Sequence, residues 1–276
     1  MDTIETKELI RLALAEDLGP GDLTTRLTVR SSTMARARIR AKQDLIVSGL
    51  ETVRLTMELV DPSVICTAET RDGQAMEPGA TLVSLAGPAE SILVGERTAL
   101  NLLMRLSGTA TLTGRYVDAV KDYPTRIVPT LRSTPGLRAL EMEAVVHGGG
   151  FSHRFGLSDS ILIRPAHAAA AGSLSAAVAR AAQNAPHNFR IQVLITRPGH
   201  LEEALSAGAE LVVLEGFSLE QTRAAVALTA RRAKLEAGGH VTLAQAPEWA
   251  VCGLDYLAVS ALTASAPSAD VSLTFT

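Results

Sequence analysis

Between Arg132 and Gly172 the chain gathers four arginines and three histidines around a run of three glycines. Arg132-Ser-Thr-Pro-Gly-Leu-Arg138 comes first, then His147-Gly-Gly-Gly150 with His153-Arg154, then Arg164 and His167. A guanidinium grips a planar carboxylate or a phosphate through two parallel hydrogen bonds. Glycine lets backbone approach a ligand without a side chain in the way. These residue types at this density predict a pocket for a multiply anionic small molecule.

Such a pocket needs a frame. The 276 residues are 47% apolar with a net charge of −3 and a pI near 6.1, enough for one large or two smaller cores. With no basic excess, nucleic acid is excluded as a partner. Cys66 and Cys252 are isolated among apolar neighbours and read as reduced core thiols. Residues 1–25 carry acids throughout and hold no long apolar run. Neither a signal peptide nor a membrane span is therefore expected, and the chain reads as a cytoplasmic globular protein.

Leu9, Leu12, Leu14 and Leu18 mark a helix stopping at Gly19-Pro-Gly21. An alternating stretch over 36–47, a helix over 51–59 and short strands over 64–67 and 81–85 predict a first α+β domain. Helices over 98–106 and 112–120 follow, with Ser107-Gly108 expected to separate them. Strands are then expected over 126–129, 161–164, 190–195, 211–215, 233–237 and 255–260. Helices are expected between them, near 137–146, 174–184, 200–207, 219–230 and 244–252. Strand–helix alternation implies right-handed parallel crossovers, and six units favour a barrel over a doubly wound sheet. No G-x-G-x-x-G or P-loop pattern opens a helix. In a barrel the strand C-termini face the ligand, which nominates 130–132, Arg164, 195–196, 215–216, 236–239 and Ser260.

At these positions the sequence resembles the quinolinate phosphoribosyltransferase family. Five segments carry the likeness: Ala15-Glu-Asp-Leu-Gly-Pro-Gly-Asp-Leu-Thr-Thr25, the helix from Glu96 to Thr111, Thr134-Pro-Gly-Leu-Arg138, Gly148-Gly-Gly150 with His153-Arg154, and Ser260-Ala-Leu-Thr263 with Ser265-Ala-Pro267. The resemblance implies an α+β sandwich domain over 1–108 and an incomplete parallel α/β barrel over 109–265, a type II phosphoribosyltransferase-like fold. A tail over 266–276 would return to the first domain. It further implies a homodimer with sites shared between subunits.

The implied reaction moves a ribosyl phosphate from phosphoribosyl pyrophosphate to the ring nitrogen of a pyridine dicarboxylate, with Mg²⁺, and then releases carbon dioxide. By the same resemblance Arg132, His153, Arg164 and Glu215 are the catalytic candidates. Arg97, Thr130, Arg138, Arg154, Glu236, Gly238, Gly239 and Ser260 are the substrate-binding candidates, with Arg97 matching an arginine lent by the neighbouring subunit.

The chain also departs from the family pattern. Leu131 replaces an arginine, Arg132 and Arg164 replace lysines, Met142 replaces another lysine, and Pro165-Ala166 replace an aspartate and an asparagine. Ile191-Gln-Val-Leu-Ile195 holds none of the alternating glutamates, Glu215-Gly216 replace Asp-Asn, and Glu236-Ala-Gly-Gly-His240 lacks a serine. Mg²⁺ needs oxygen ligands, and Glu215 and Glu236 are a depleted set. That leaves Mg²⁺ possible but doubtful, and His167, His187, His200 and His240 show no metal-ligand spacing, so no zinc site is expected.

Plainer roles stand beside these: Arg138 as a solvated helix residue, Glu215 as the ion-pair partner of Arg164, His147 as structural, and Gly148–Gly150 as a turn. The leading expectation is an enzyme of this family acting on a pyridine or related heteroaromatic carboxylate. One alternative is a decarboxylase or lyase of a secondary pathway that needs no phosphoribosyl pyrophosphate, with His153 handling protons. The other is an inactive homologue that binds a metabolite or a partner enzyme.

Overall fold

The computed structural model describes residues 3–276 and divides into two compact units. The first comprises the chain up to Gly114, Pro135–Gly149 and Ala266–Thr276; the second comprises Arg115–Thr134 and Gly150–Ser265.

The chain opens with α1 (Ile4–Leu18), α2 (Leu23–Thr28), β1 (Met34–Ala41) and β2 (Leu45–Ile46). It continues with α3 (Leu50–Val60), β3 (Ile65–Ala68), β4 (Ala75–Met76), β5 (Thr81–Pro88) and α4 (Ala89–Ala119). Asp22 caps α2 by accepting from the Thr25 amide at 3.1 Å. Beyond α4 come β6 (Arg126–Pro129), α5 (Arg138–His147), β7 (Ile161–Ile163), α6 (Pro165–Ala171), α7 (Leu174–Asn184) and β8 (Ile191–Ile195). The rest is α8 (Leu201–Ser206), β9 (Leu211–Leu214), α9 (Leu219–Thr229), β10 (Lys234–Gly239), α10 (Ala246–Ala250), β11 (Tyr256–Val259), α11 (Ala261–Ala264) and β12 (Val271–Phe275).

In the first unit an antiparallel sheet runs β12-β1-β5-β3. Its buried residues Ala37, Ile39, Leu82 and Leu85 join Val53 and Met57 of α3 and Ile92 and Leu103 of α4 in one core. A buried ion pair belongs here too: Arg105 reaches the fully enclosed Glu141 at 2.8 Å and donates to the Ala266 carbonyl at 3.0 Å.

The helix break expected at Ser107-Gly108 does not occur, because α4 is continuous from Ala89 to Ala119. Gly108 is small for another reason: a Cβ there would lie 2.1 Å from the Pro267 carbonyl oxygen. Gly148 is set in the same way, since its Cβ would fall 2.3 Å from the Ala110 carbonyl oxygen on α4. Gly149 adopts φ +84°, a left-handed turn that glycine accepts without strain. Two of the three consecutive glycines thus serve backbone packing and turning in the first unit.

The second unit holds a parallel sheet of order β6-β11-β10-β9-β8-β7. Strands β7 to β11 lie in sequence order, and β6 joins beside β11. The open seam falls between β6 and β7, giving an incomplete barrel. Past Gly150, the Phe151 amide donates to the Ile127 carbonyl of β6 at 2.8 Å. Pro165 sits in the first turn of α6, where its missing N–H costs nothing. No helix among the described residues is long and apolar enough to cross a membrane.

Candidate active site

Strand alternation builds the site in two layers. Within a strand every second side chain shares a face, and residues paired in register across parallel strands face the same way. On β8, Ile191, Val193 and Ile195 are buried while Gln192 and Leu194 are half-buried and line a cavity of about 330 Å³. Leu194 pairs with Val213 and Val213 with Glu236, making one row across β8, β9 and β10. Leu162 pairs with Gln192. Two residues further along each strand lie Arg164, Glu215, Gly238 and, after Ala258, Ser260, all lining the same cavity. The lining is polar towards the strand ends and apolar beneath apart from Gln192 and Glu236, with Arg164 level with Leu194 because Ile163 pairs with Val193.

Thr130, Arg132, His153, Arg154, Arg164, Glu215, Glu236, Gly238, Gly239 and Ser260 all line this one cavity. Arg97 and Arg138 are not among its lining residues. Arg97 lies on α4 with a side chain 76% exposed and pairs with Asp17 at 3.4 Å. Arg138 begins α5 in the first unit. His147 is also elsewhere, with Nδ1 2.9 Å from the Ser48 hydroxyl.

Charge is segregated by strand. The basic groups come from the chain between β6 and α6, and the carboxylates follow or belong to the central strands β9 and β10. Glu215 is exposed, and among the described residues it forms no ion pair with Arg164. Glu236 is buried, and its Oε1 lies 3.8 Å from His153 Nε2. His153 Nδ1 is enclosed and makes no hydrogen bond among the described residues.

His240, read from the sequence only for metal spacing, links the rim. Its Nε2 is 3.2 Å from Arg132 Nη1, and its Nδ1 is 3.1 Å from Ser260 Oγ. A guanidinium can only donate, so Nε2 accepts; Nδ1 then carries the hydrogen of the neutral ring and donates to Ser260. Ser260 in turn donates to the Gly239 carbonyl at 2.9 Å. The direction of this chain fixes Arg132 from β6 to β10. Thr263 also donates to the Arg132 carbonyl.

The stretch carrying His153 and Arg154 has no regular structure and is pinned by Asp159. Its carboxylate accepts from the Phe155 and Gly156 amides, the latter at 2.9 Å. Partial burial opposes the charge, but those amides and the nearby Arg154 outweigh it and hold Asp159 below the ordinary carboxylate range.

Gly238 has φ +135°, and a Cβ there would meet the Ala258 carbonyl oxygen at 2.1 Å. The glycines placed in a loop by sequence are the end of β10, with Gly239 paired to Val259. No serine fits at 238 on this backbone. Among the described residues no group of three or more His, Cys, Asp or Glu could hold a metal ion.

Comparison with known proteins places this fold and strand-end cavity in a family. The model of the quinolinate phosphoribosyltransferase C-terminal domain matches residues 109–274, and that of the N-terminal domain matches residues 22–107. The chain is 37% identical over 276 residues to a probable nicotinate-nucleotide pyrophosphorylase (carboxylating) of Bacillus subtilis, covering 100% of this chain and 95% of that one. It is 38% identical over 264 residues to the Synechocystis protein of the same description, covering 94% and 89%. The solved nicotinate-nucleotide pyrophosphorylase of Francisella tularensis superposes with TM-score 0.94 at 32% identity, covering 99% and 96%. That of Ehrlichia chaffeensis gives 0.94 at 30% identity, covering 100% of both chains. The chain belongs to the quinolinate phosphoribosyltransferase family of pentosyltransferases.

Proposed function

We propose that the protein transfers a ribosyl phosphate from phosphoribosyl pyrophosphate to the ring nitrogen of a pyridine or related heteroaromatic dicarboxylate, with loss of carbon dioxide. One arrangement supports this above all: Arg132, Arg154, Arg164 and His153 share a cavity with Glu215, Glu236 and the Gly238–Gly239 backbone. The arginines and His153 bind the two carboxylates and aim the ring nitrogen. Its lone pair bonds to C1′ of the donor while the bond from C1′ to the pyrophosphate oxygen breaks, and pyrophosphate leaves with that pair. Glu215 and Glu236 offset positive charge developing on the ribose. The quaternary nitrogen then draws in the electrons released as the neighbouring carboxylate departs as carbon dioxide, and that carbon takes a proton. Mg²⁺ carried on the pyrophosphate belongs to the donor substrate. Arg97, largely exposed on α4, would serve the cavity of a second copy in a homodimer.

The test is incubation with quinolinate, phosphoribosyl pyrophosphate and Mg²⁺, following nicotinate mononucleotide and pyrophosphate. Formation of both supports the reading; release of neither ends it. A second reading, decarboxylation without the donor, is favoured by Gln192 and Leu194, which leave the cavity face of β8 without an acid. Carbon dioxide released from the ring acid without phosphoribosyl pyrophosphate would select it.

A further inference from the structure

We propose that the ring acid bound here carries a fused or attached hydrocarbon portion, and that Leu162, Leu194 and Val213 form the shelf that selects it. The proposal rests on the ring-acid part of the functional reading and deepens it. Leu194 and Val213 sit side by side in register on β8 and β9, and Leu162 lies on β7 one row beneath, beside Gln192. All three are half-buried, whereas Ile163, Val193 and Val212 on the opposite faces of these strands are enclosed. Branched aliphatic side chains left open in a cavity are stabilised by apolar contact and gain nothing from a phosphate or a sugar hydroxyl.

Glu236, next to Val213 in register, is buried and has its carboxylate 3.8 Å from His153. Gln192 supplies a single neutral amide. Arg164 follows the Ile163–Val193 pair and so flanks the shelf level with Leu194, while Arg132 lies past the end of β6 at the rim. A ligand matching both is amphiphilic, with carboxylates towards the guanidinium groups and hydrocarbon over the shelf. A plain pyridine dicarboxylate satisfies the rim and leaves the shelf uncovered. A bicyclic quinoline-2,3-dicarboxylate adds four ring carbons where the shelf can bury them.

Calorimetric titration of the full chain with pyridine-2,3-dicarboxylate and with quinoline-2,3-dicarboxylate tests this. The fused acid is expected to bind with a dissociation constant at least about tenfold lower. Leu194→Glu, which breaks the shelf with a charge, is expected to reduce that ratio to one or below. Leu194→Gln gives the same direction with no added charge and guards against a folding defect in the first variant. Equal or weaker binding of the fused acid by the wild-type protein overturns the proposal while leaving the ring-acid site intact. Binding of neither compound overturns the ring-acid reading itself, and the proposal with it.

Discussion

Arg132 and His240 are joined across the rim of the barrel, with Nη1 donating to Nε2 over 3.2 Å. Because His240 must be neutral to accept this bond, the imidazole both orients the guanidinium and adds no charge to repel it. His240→Ala should free Arg132 and raise the KM for the ring acid. Both groups are exposed, so the bond is worth about 0.5–1.5 kcal/mol, or roughly a two- to tenfold effect. His240→Gln, whose amide oxygen can accept in its place, should recover part of the loss. A KM unchanged in His240→Ala would show that Arg132 is held by other contacts.

The Glu236–His153 pair gives a second prediction. The two side chains are 8% and 15% exposed, and their nearest atoms are 3.8 Å apart. Partners so shielded interact more strongly than a surface pair. Glu236→Gln and His153→Gln should each lower kcat/KM by about tenfold or more, with the double variant losing less than the product of the two. A coupling energy of about 0.5–3 kcal/mol is expected from a double-mutant cycle. Strict additivity would mean that the two residues act independently.

The sequence carried the strand ends well. Arg164, Glu215 and Ser260 follow short apolar runs, so parallel topology alone places them at one end of the sheet. It carried the lower layer badly. Gln192, Leu194 and Val213 sit inside strands buried on both sides, where hydrophobic patterning does not say which alternate face meets a cavity. Counting back two residues from Arg164 and Glu215 would have found Leu162 and Val213. The continuity of α4 was hidden because Gly108 answers to Pro267, a contact across 159 residues of chain (267 − 108) that local pattern cannot report. His240 was passed over for a related reason: its role depends on β11 lying between β6 and β10, which no local spacing encodes.

Gly238 and Gly239 offer a contrast within two residues. Both have positive φ, but only Gly238 faces backbone, with the Ala258 oxygen 2.1 Å from an added Cβ, while Gly239 would meet nothing within 4 Å. Gly238→Ala combines backbone strain with overpacking and should cost on the order of 3 kcal/mol. Gly239→Ala carries strain alone, on the order of 1–2 kcal/mol. Denaturant unfolding of the two variants should rank them in that order. Equal stability would mean that β10 and β11 can part at no cost.

The last prediction concerns pH and the support beneath β10. Arg232, just before that strand, binds Glu202 of α8 with both ends of its guanidinium, at 2.6 and 2.9 Å. These hydrogen bonds favour the carboxylate and move Glu202 from an ordinary 4.5 to about 2. A folded-state value below the unfolded one means the pair stabilises the protein fully above about 4.5. That contribution is lost as pH falls from there towards 2. Both side chains are exposed, so screening keeps the effect small and salt-sensitive. Glu202→Gln should therefore lower the denaturation midpoint at pH 7, with the gap to the wild-type protein narrowing between pH 5 and pH 3. Added salt should shrink the gap at pH 7 as well. A gap that persists unchanged at pH 3 would show that Glu202 acts through packing and not through its charge.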